Sequence, residues 1–246
     1  LKNKKLFLKL AKNELKKKFN GKKEVALYQL LRSSYANSKK KIQNKFDGVL
    51  FLHNFFDTPH HIRSLMFKDF YDWSNFTLNI INENNLNIAV KPHPTSRFYY
   101  GSKELINKLK KKYPKVTWID PQISNKEIIK KIKFGISCYG SVLYELPYVG
   151  LVSIAGTSFH PSHEYDIAYT PKNKLEYKKL IINSLNLRKK KNLKSKVYEF
   201  YYMRYLYNHD ALKNTGRDLD LKSIDFSSSN GLIDLYYRLK KIKDHG

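Results

Sequence analysis

Two prolines enclose a histidine in the motif K-P-H-P, which directly follows the apolar run L-N-I-A-V. Such a run is typical of a buried parallel strand. Pro92 and Pro94 end it, because proline lacks an amide donor and biases the preceding residue towards extended backbone. Lys91 and His93 are therefore expected at the carboxyl end of a strand, where open α/β sheets bind ligands. Both side chains can donate to a phosphate, so Lys91, His93 and Pro94 are predicted binding residues.

A second strand end carries a complementary half of this anion site. The apolar run F-G-I-S-C at 134–138 is followed by Tyr139-Gly140-Ser141 and then by a helical pattern. Gly140 permits close approach of the backbone, and the first helical amides with the Ser141 hydroxyl can hold a phosphate. An ordinary helix N-cap would have the same sequence. Glu145 lies one turn later, where it could accept a bond from a sugar hydroxyl or remain a solvated carboxylate.

Histidine-rich loops follow two further apolar runs. The loop after Gly48–Phe51 contains His53, Asp57 and His60, with a third histidine beside them. We interpret it as a polar active-site loop and not a metal site, because no spacing matches a zinc pattern and a proline interrupts it. His163 follows the run at 151–155 and could reach the same crevice, although a structural role is equally open for it.

The pattern around these loops predicts an α/β fold with a doubly wound parallel sheet. Expected strands lie at 48–51, 86–90, 116–119, 134–138 and 151–155, and expected helices at 64–84, 104–112, from 124 onwards and at 175–185. The sequence contains no P-loop and no G-x-G-x-x-G, which excludes ATPase and classical dehydrogenase sites. It also lacks the G-x-S-x-G elbow of many hydrolases.

Three regions are predicted along the chain. Residues 1–45 are a basic helical segment or the remnant of an upstream domain, 46–187 are the Rossmann-like nucleotide-binding domain, and 188–246 are a helical extension. The extension contains expected helices at 194–208 and 232–243, with a polar loop between them. Because the chain begins with Leu1 and not methionine, we expect upstream sequence to be missing.

The composition limits the partners and the compartment. The net charge of +26 comes mainly from lysines spread through every segment, without an arginine cluster or a zinc signature, so specific nucleic-acid binding is not expected. Peripheral contact with an anionic membrane or with acidic glycans fits this charge better. Cys138 is the single cysteine, and no signal peptide or membrane-spanning run is present. These features favour a cytoplasmic protein that has no intramolecular disulfide and can lie at the inner face of the membrane.

Four motifs taken together resemble those of bacterial surface-polysaccharide glycosyltransferases of the GT-B type, related to Kdo transferases. The motifs are H-N-F-F-D-T-P-H, D-F-Y-D-W, K-P-H-P and Y-G-S-V-x-x-E. The resemblance covers about 48–185, the nucleotide-binding half of such an enzyme. It implies that His93 and Ser141 contact the phosphate of a nucleotide sugar and that Glu145 lies near the ribose. It also implies metal-independent transfer without a cofactor.

The resulting hypothesis is a glycosyltransferase that moves a sugar from a nucleotide donor, such as a CMP-linked acidic sugar, to a glycan or lipid-linked acceptor in capsule or surface-polysaccharide synthesis. Asp57 and His60 are the candidate catalytic bases, because their loop ends the strand nearest the expected cleft. Two alternatives remain open at this point. One is a polyol-phosphate transferase of the teichoic-acid type, and the other is a noncatalytic module that binds glycans or polyanions.

Overall fold

The computed structural model describes residues 4–23, 33–56 and 65–207. The chain divides into two compact units, Leu1–Phe200 and Tyr201–Gly246. The first unit therefore contains the sheet together with the segments that precede it. The predicted helix at 232–243 and the loop before it lie outside the described residues.

A four-stranded, all-parallel sheet forms the centre of the first unit, which confirms the predicted α/β class. Its strands are β1 (Gly48–Phe51), β2 (Ile88–Lys91), β3 (Phe134–Ser137) and β4 (Val152–Ala155), and their spatial order is β2-β1-β3-β4. All four are buried along their whole length, as expected for parallel strands covered on both faces. Single bridges add Trp118 beside β2 and Tyr169 beside β4.

Helices flank the sheet. They are α1 (Lys4–Phe19), α2 (Phe70–Glu83), α3 (Ser102–Lys112), α4 (Asn125–Ile128), α5 (Val142–Tyr148), α6 (Lys174–Ile182) and α7 (Leu193–Tyr201). Short 3₁₀ turns lie at Pro94–Phe98, His163–Tyr165 and Ser184–Asn186, and a π-helical turn lies at Tyr202–Leu206. None of the helices in the described part of the chain combines the length and the apolar character needed to cross a membrane.

Alternate residues of the strands face two separate apolar cores. Leu50 and Val90 belong to the larger core, with residues of α2, α3 and α6. Val49 and Ala89 belong to the second, with residues of α4 and α5. In the larger core the Trp73 indole donates to the Tyr177 hydroxyl at 2.8 Å, which joins α2 to α6 in a fully buried position. Helical residues thus cover both faces of the sheet.

Three predicted elements differ from the structure. The helix predicted over 1–45 is confirmed at α1, and residues 24–32 of that prediction lie outside the described residues. Residues 33–47 form a loop, because short polar side chains bond the backbone locally: the Ser33 hydroxyl accepts from the Tyr35 amide. The helix predicted from residue 64 begins at Phe70, since the Asp69 carboxylate caps it by accepting from the Asp72 amide at 2.7 Å. The strand predicted at 116–119 forms only the bridge between Val90 and Trp118.

Candidate functional site

Three adjacent strands end at the same level. The register pairs Phe51 of β1 with Lys91 of β2 on one side and with Ser137 of β3 on the other. Neighbouring strands lie about 4.8 Å apart, so the ends of β2 and β3 are separated by roughly 10 Å. The loops that contain His53, His93 and Gly140 therefore leave one edge of the sheet side by side, as the sequence predicted for the last two.

A stack of rings joins the loops after β1 and β2. The His53 ring lies on Phe70, the first residue of α2, with ring centroids 4.2 Å apart and planes within 14° of parallel. The centroid of the His93 ring is 6.2 Å from that of His53, and their planes differ by 15°. Both histidines are half-buried. The structure thus brings together two of the predicted site residues, and Phe70 supports them from the core.

The surroundings of His93 determine which ring nitrogen carries the proton. The Thr95 amide donates to Nδ1 at 3.3 Å, and the Thr95 hydroxyl contacts the same atom at 2.7 Å. Since Nδ1 accepts, the proton of the neutral ring is on Nε2. His93 caps the 3₁₀ turn that begins at Pro94. Pro94 is exposed, and its preset φ angle suits the first position of this turn. The motif therefore holds His93 as a donor through Nε2.

The Gly140–Ser141 turn connects β3 to α5. The Gly140 amide donates to the Ser137 hydroxyl at 3.3 Å, and a Cβ at Gly140 would come within 2.8 Å of that oxygen. Ser141 is exposed, and its side chain makes no capping hydrogen bond. The first amides of a helix have no partners within the helix. Because α5 has only seven residues, a ligand here would depend on directed donors more than on a helix dipole.

Lys91 occupies a different environment from the one predicted. It is 3% exposed and faces the α4 and α5 side of the sheet, where its ammonium donates to the Asn125 side-chain oxygen. Burial lowers the pKa of Lys91 from 10.5 to about 8, although the charges of Glu145 and Asp120 act in the opposite direction. The predicted direct contact between Lys91 and a phosphate is not available in this arrangement, because the strand turns the side chain into the core.

Glu145 also lies in the interior and not at the edge of the sheet. Its carboxylate accepts from the Tyr35 hydroxyl at 3.1 Å and pairs with Lys18 at 3.2 Å. With 1% of its surface exposed, it is neither the solvated carboxylate nor the sugar ligand that we considered from the sequence. Burial raises the pKa of Tyr35, and the negative charge of Glu145 raises it further. Glu145 therefore has a structural role.

The loop after β4 contains two histidines with different surroundings. His160 is buried, with Nε2 3.0 Å from the Thr170 hydroxyl and Nδ1 3.0 Å from the Ser162 hydroxyl. Burial lowers its pKa to about 4, and the charges of His163 and Lys190 lower it too, so the ring is neutral at pH 7. His163 is half-buried at the same edge of the sheet, and its Nδ1 has no hydrogen-bond partner among the described residues.

The candidate bases Asp57 and His60 lie outside the described residues, so their predicted roles remain predictions. Within residues 4–23, 33–56 and 65–207, no group of three or more His, Cys, Asp or Glu side chains is placed to hold a metal ion. Cys138 is buried in the core, and burial raises the pKa of its thiol.

Sequence reasoning missed several residues that shape this region. Thr95 sets the tautomer of His93, and its position two residues after a histidine that precedes a proline was the available signal. Ser137 positions the Gly140 amide, and its signal was a polar residue in an otherwise apolar strand. Tyr35 gave no signal, because its partner Glu145 is 110 positions away.

The sequence matches no protein-family model, and it matches no curated protein.

Proposed function

We propose that this chain binds the nucleotide-activated sugar of a surface-polysaccharide glycosyltransferase at the carboxyl edge of its parallel sheet. One observation carries the proposal. The His53–His93 ring pair and the Gly140–Ser141 turn follow three adjacent strands that end level with one another. Both groups can donate hydrogen bonds to phosphate oxygens. The strand ends that precede His93 and Gly140 lie roughly 10 Å apart, which suits an elongated ligand better than a single small anion.

The order of the strands supports a doubly wound sheet of the kind found in each half of GT-B enzymes. Including the two bridges, the spatial order is Trp118, β2, β1, β3, β4 and Tyr169. From β1 the chain thus adds β2 and then Trp118 on one side of the sheet. It then returns to the middle and adds β3, β4 and Tyr169 on the other side. In such sheets the ligand binds where this direction reverses, which here is between the ends of β1 and β3. The loops with His53 and Gly140 border that position.

In this proposal the chain acts mainly by electrostatic stabilisation of the departing nucleotide. The Nε2 proton of His93 and the Ser141 hydroxyl bond phosphate oxygens as negative charge develops on them. Lys91 contributes its charge from the core, two residues before His93, without contacting the ligand. A base from the loop after β1, with Asp57 and His60 as candidates, would accept the proton of the attacking hydroxyl.

Thermal unfolding in the presence of nucleotides tests the proposal. We expect CMP or another nucleoside phosphate to raise the melting temperature, because a ligand that binds only the folded state stabilises it. His93→Ala and Ser141→Ala should remove this shift while leaving the melting temperature of the free protein nearly unchanged. Ser195→Ala is the matched control, since Ser195 is an exposed serine on α7. The proposal fails if no nucleotide shifts the melting temperature, or if both variants respond like the wild type.

A further inference from the structure

The exposed aromatic side chains are concentrated at one edge of the molecule. In the described residues of the first unit, the aromatic side chains that are exposed are Phe56 (49%), Phe98 (67%), Tyr99 (44%), Tyr100 (100%) and Phe159 (50%). All five lie on loops that follow β1, β2 or β4, and therefore at the carboxyl edge of the sheet. We call this set the aromatic edge. Soluble proteins rarely group exposed rings in this way without a binding partner.

Contacts between the loops bring part of the aromatic edge together. The Phe56 ring lies against Gly101, because a Cβ at Gly101 would be 3.3 Å from the Phe56 Cζ. Gly101 has a φ of +81° and follows Tyr100 directly. The loop after β1 thus packs on the end of the loop after β2. Phe98 ends the 3₁₀ turn, and Tyr99 and Tyr100 lie between that turn and α3. This part of the aromatic edge is one surface and not a set of scattered side chains.

We propose that the aromatic edge inserts into the interface of an anionic lipid bilayer. Tyr100 is fully exposed and Phe98 is two-thirds exposed, so both rings present most of their surface to solvent. Protruding phenylalanine and tyrosine rings gain most by entering the boundary between headgroups and acyl chains, where the ring is desolvated and the tyrosine hydroxyl stays hydrated. The net charge of +26 attracts the chain to a negative surface.

Other partners fit these observations less well. A soluble sugar or nucleotide base stacks best on a ring that neighbouring side chains hold in place, whereas Tyr100 is fully exposed. A basic surface alone would bind any polyanion without needing exposed rings. Exposed aromatic rings on a chain with a net charge of +26 match a bilayer, which offers apolar depth and negative charge together.

Insertion of the aromatic edge would also orient the proposed donor site relative to the bilayer. The same edge holds His93 and the Gly140–Ser141 turn, so a bilayer at the aromatic edge would face the proposed donor site. If the proposed function holds, an acceptor anchored in that bilayer reaches the site without leaving the membrane. The docking itself does not depend on the proposed function, because it rests on different residues and needs no nucleotide.

Vesicle sedimentation tests the docking. We expect the full chain to bind phosphatidylcholine vesicles that contain phosphatidylglycerol, and to bind pure phosphatidylcholine vesicles weakly. The double substitution Phe98→Ser and Tyr100→Ser should weaken binding about tenfold, because it removes inserted rings without changing the net charge. The control is Leu185→Ser, which removes a side chain of comparable exposure beyond the end of α6 and should bind like the wild type.

A second measurement reports the depth of insertion. Since Cys138 is buried, a cysteine introduced by Tyr100→Cys can be labelled selectively with a polarity-sensitive fluorophore. Its emission should shift to the blue on anionic vesicles, and a label at Leu185→Cys should not respond. The proposal is overturned if the wild type does not bind these vesicles, if the double variant binds as tightly, or if the label at position 100 stays in water. A response of that label to a soluble acidic glycan but not to vesicles would assign the surface to glycans.

Discussion

The Tyr35 hydroxyl donates a hydrogen bond to the Glu145 carboxylate at 3.1 Å, although 110 positions separate the two residues in the sequence. The same carboxylate pairs with Lys18 of α1 at 3.2 Å. Lys91 of β2 lies in the same interior region, and the charge of Glu145 raises its pKa against the effect of burial. One carboxylate thus stabilises two buried ammonium groups from different elements, which joins α1 and the loop before β1 to the sheet and α5.

Glu145→Ala should reduce the free energy of unfolding by about 3–5 kcal/mol, because it removes the buried carboxylate that pairs with Lys18 and accepts from Tyr35. Urea unfolding followed by circular dichroism measures the loss. Glu127→Ala is the control, since Glu127 pairs with Lys130 at the surface and its removal should leave the stability unchanged. Equal effects of the two substitutions would contradict a structural role for Glu145.

Lys91→Met should stabilise the protein at pH 7, and the gain should shrink as the pH rises towards 10. The folded pKa of Lys91 is about 8, below the 10.5 of the unfolded chain. Between these two pH values the unfolded state binds more protons than the folded state. The free energy of unfolding of the wild type therefore rises with pH as far as this group determines it. At 1.36 kcal/mol for each pKa unit, the difference between the folded and unfolded pKa values of Lys91 corresponds to a gain in the free energy of unfolding on the order of 3 kcal/mol.

The free energies of unfolding of Lys91→Met and of the wild type are measured across this pH range, and their difference is taken at each pH. This difference separates the contribution of Lys91 from those of Cys138 and Tyr35, which titrate in both proteins. The pKa values of both are raised in the folded state, which lowers stability at high pH in either protein. A difference that stays constant from pH 7 to 10 would show that Lys91 keeps an ordinary pKa.

Gly140→Ala should lower the free energy of unfolding by about 1–3 kcal/mol, because the new Cβ would lie 2.8 Å from the Ser137 hydroxyl oxygen. Combining it with Ser137→Ala should restore part of the loss, since that oxygen is then absent. A double-mutant cycle in urea measures the coupling between the two positions. Purely additive losses would mean that the two side chains do not compete for this space.

Thr95→Val should weaken nucleotide binding by about threefold to tenfold, the range expected when one hydrogen bond that orients a donor is lost. The Thr95 hydroxyl lies 2.7 Å from His93 Nδ1, and valine keeps the shape without the polar atom. Isothermal titration with the nucleotide that raises the melting temperature gives the affinity. Thr95→Ser keeps the hydroxyl and should bind like the wild type. If serine and valine weaken binding equally, the hydroxyl does not position the histidine.

The strands were predictable because proline, glycine and polar residues bound each apolar run. β1 occupies the predicted residues, and β2 ends at Lys91, directly before Pro92. The run at 116–119 has the same composition, but it has a strand neighbour only at β2 and forms a single bridge. Apolar composition indicates that a segment is buried, whereas the number of paired residues depends on its neighbours in the sheet.

The positions of His93 and Gly140 were predictable from the rule that parallel strands present their carboxyl ends at one edge. The burial of Glu145 was not. Helical spacing places Glu145 near Ser141, yet Ser141 is exposed and Glu145 is buried. The Glu145 carboxylate contacts Lys18 and Tyr35, which come from a distant part of the sequence. Local periodicity describes only the helix itself, so it could not indicate these contacts.

The stack of Phe70, His53 and His93 makes the candidate site depend on the first turn of α2. Phe70 is fully buried and begins α2, so fraying of the first turn of that helix would remove the support beneath both histidines. Local openings of this kind need less free energy than global unfolding. Heating should therefore abolish ligand binding before the sheet itself melts, and hydrogen exchange at the start of α2 should slow when a ligand occupies the edge.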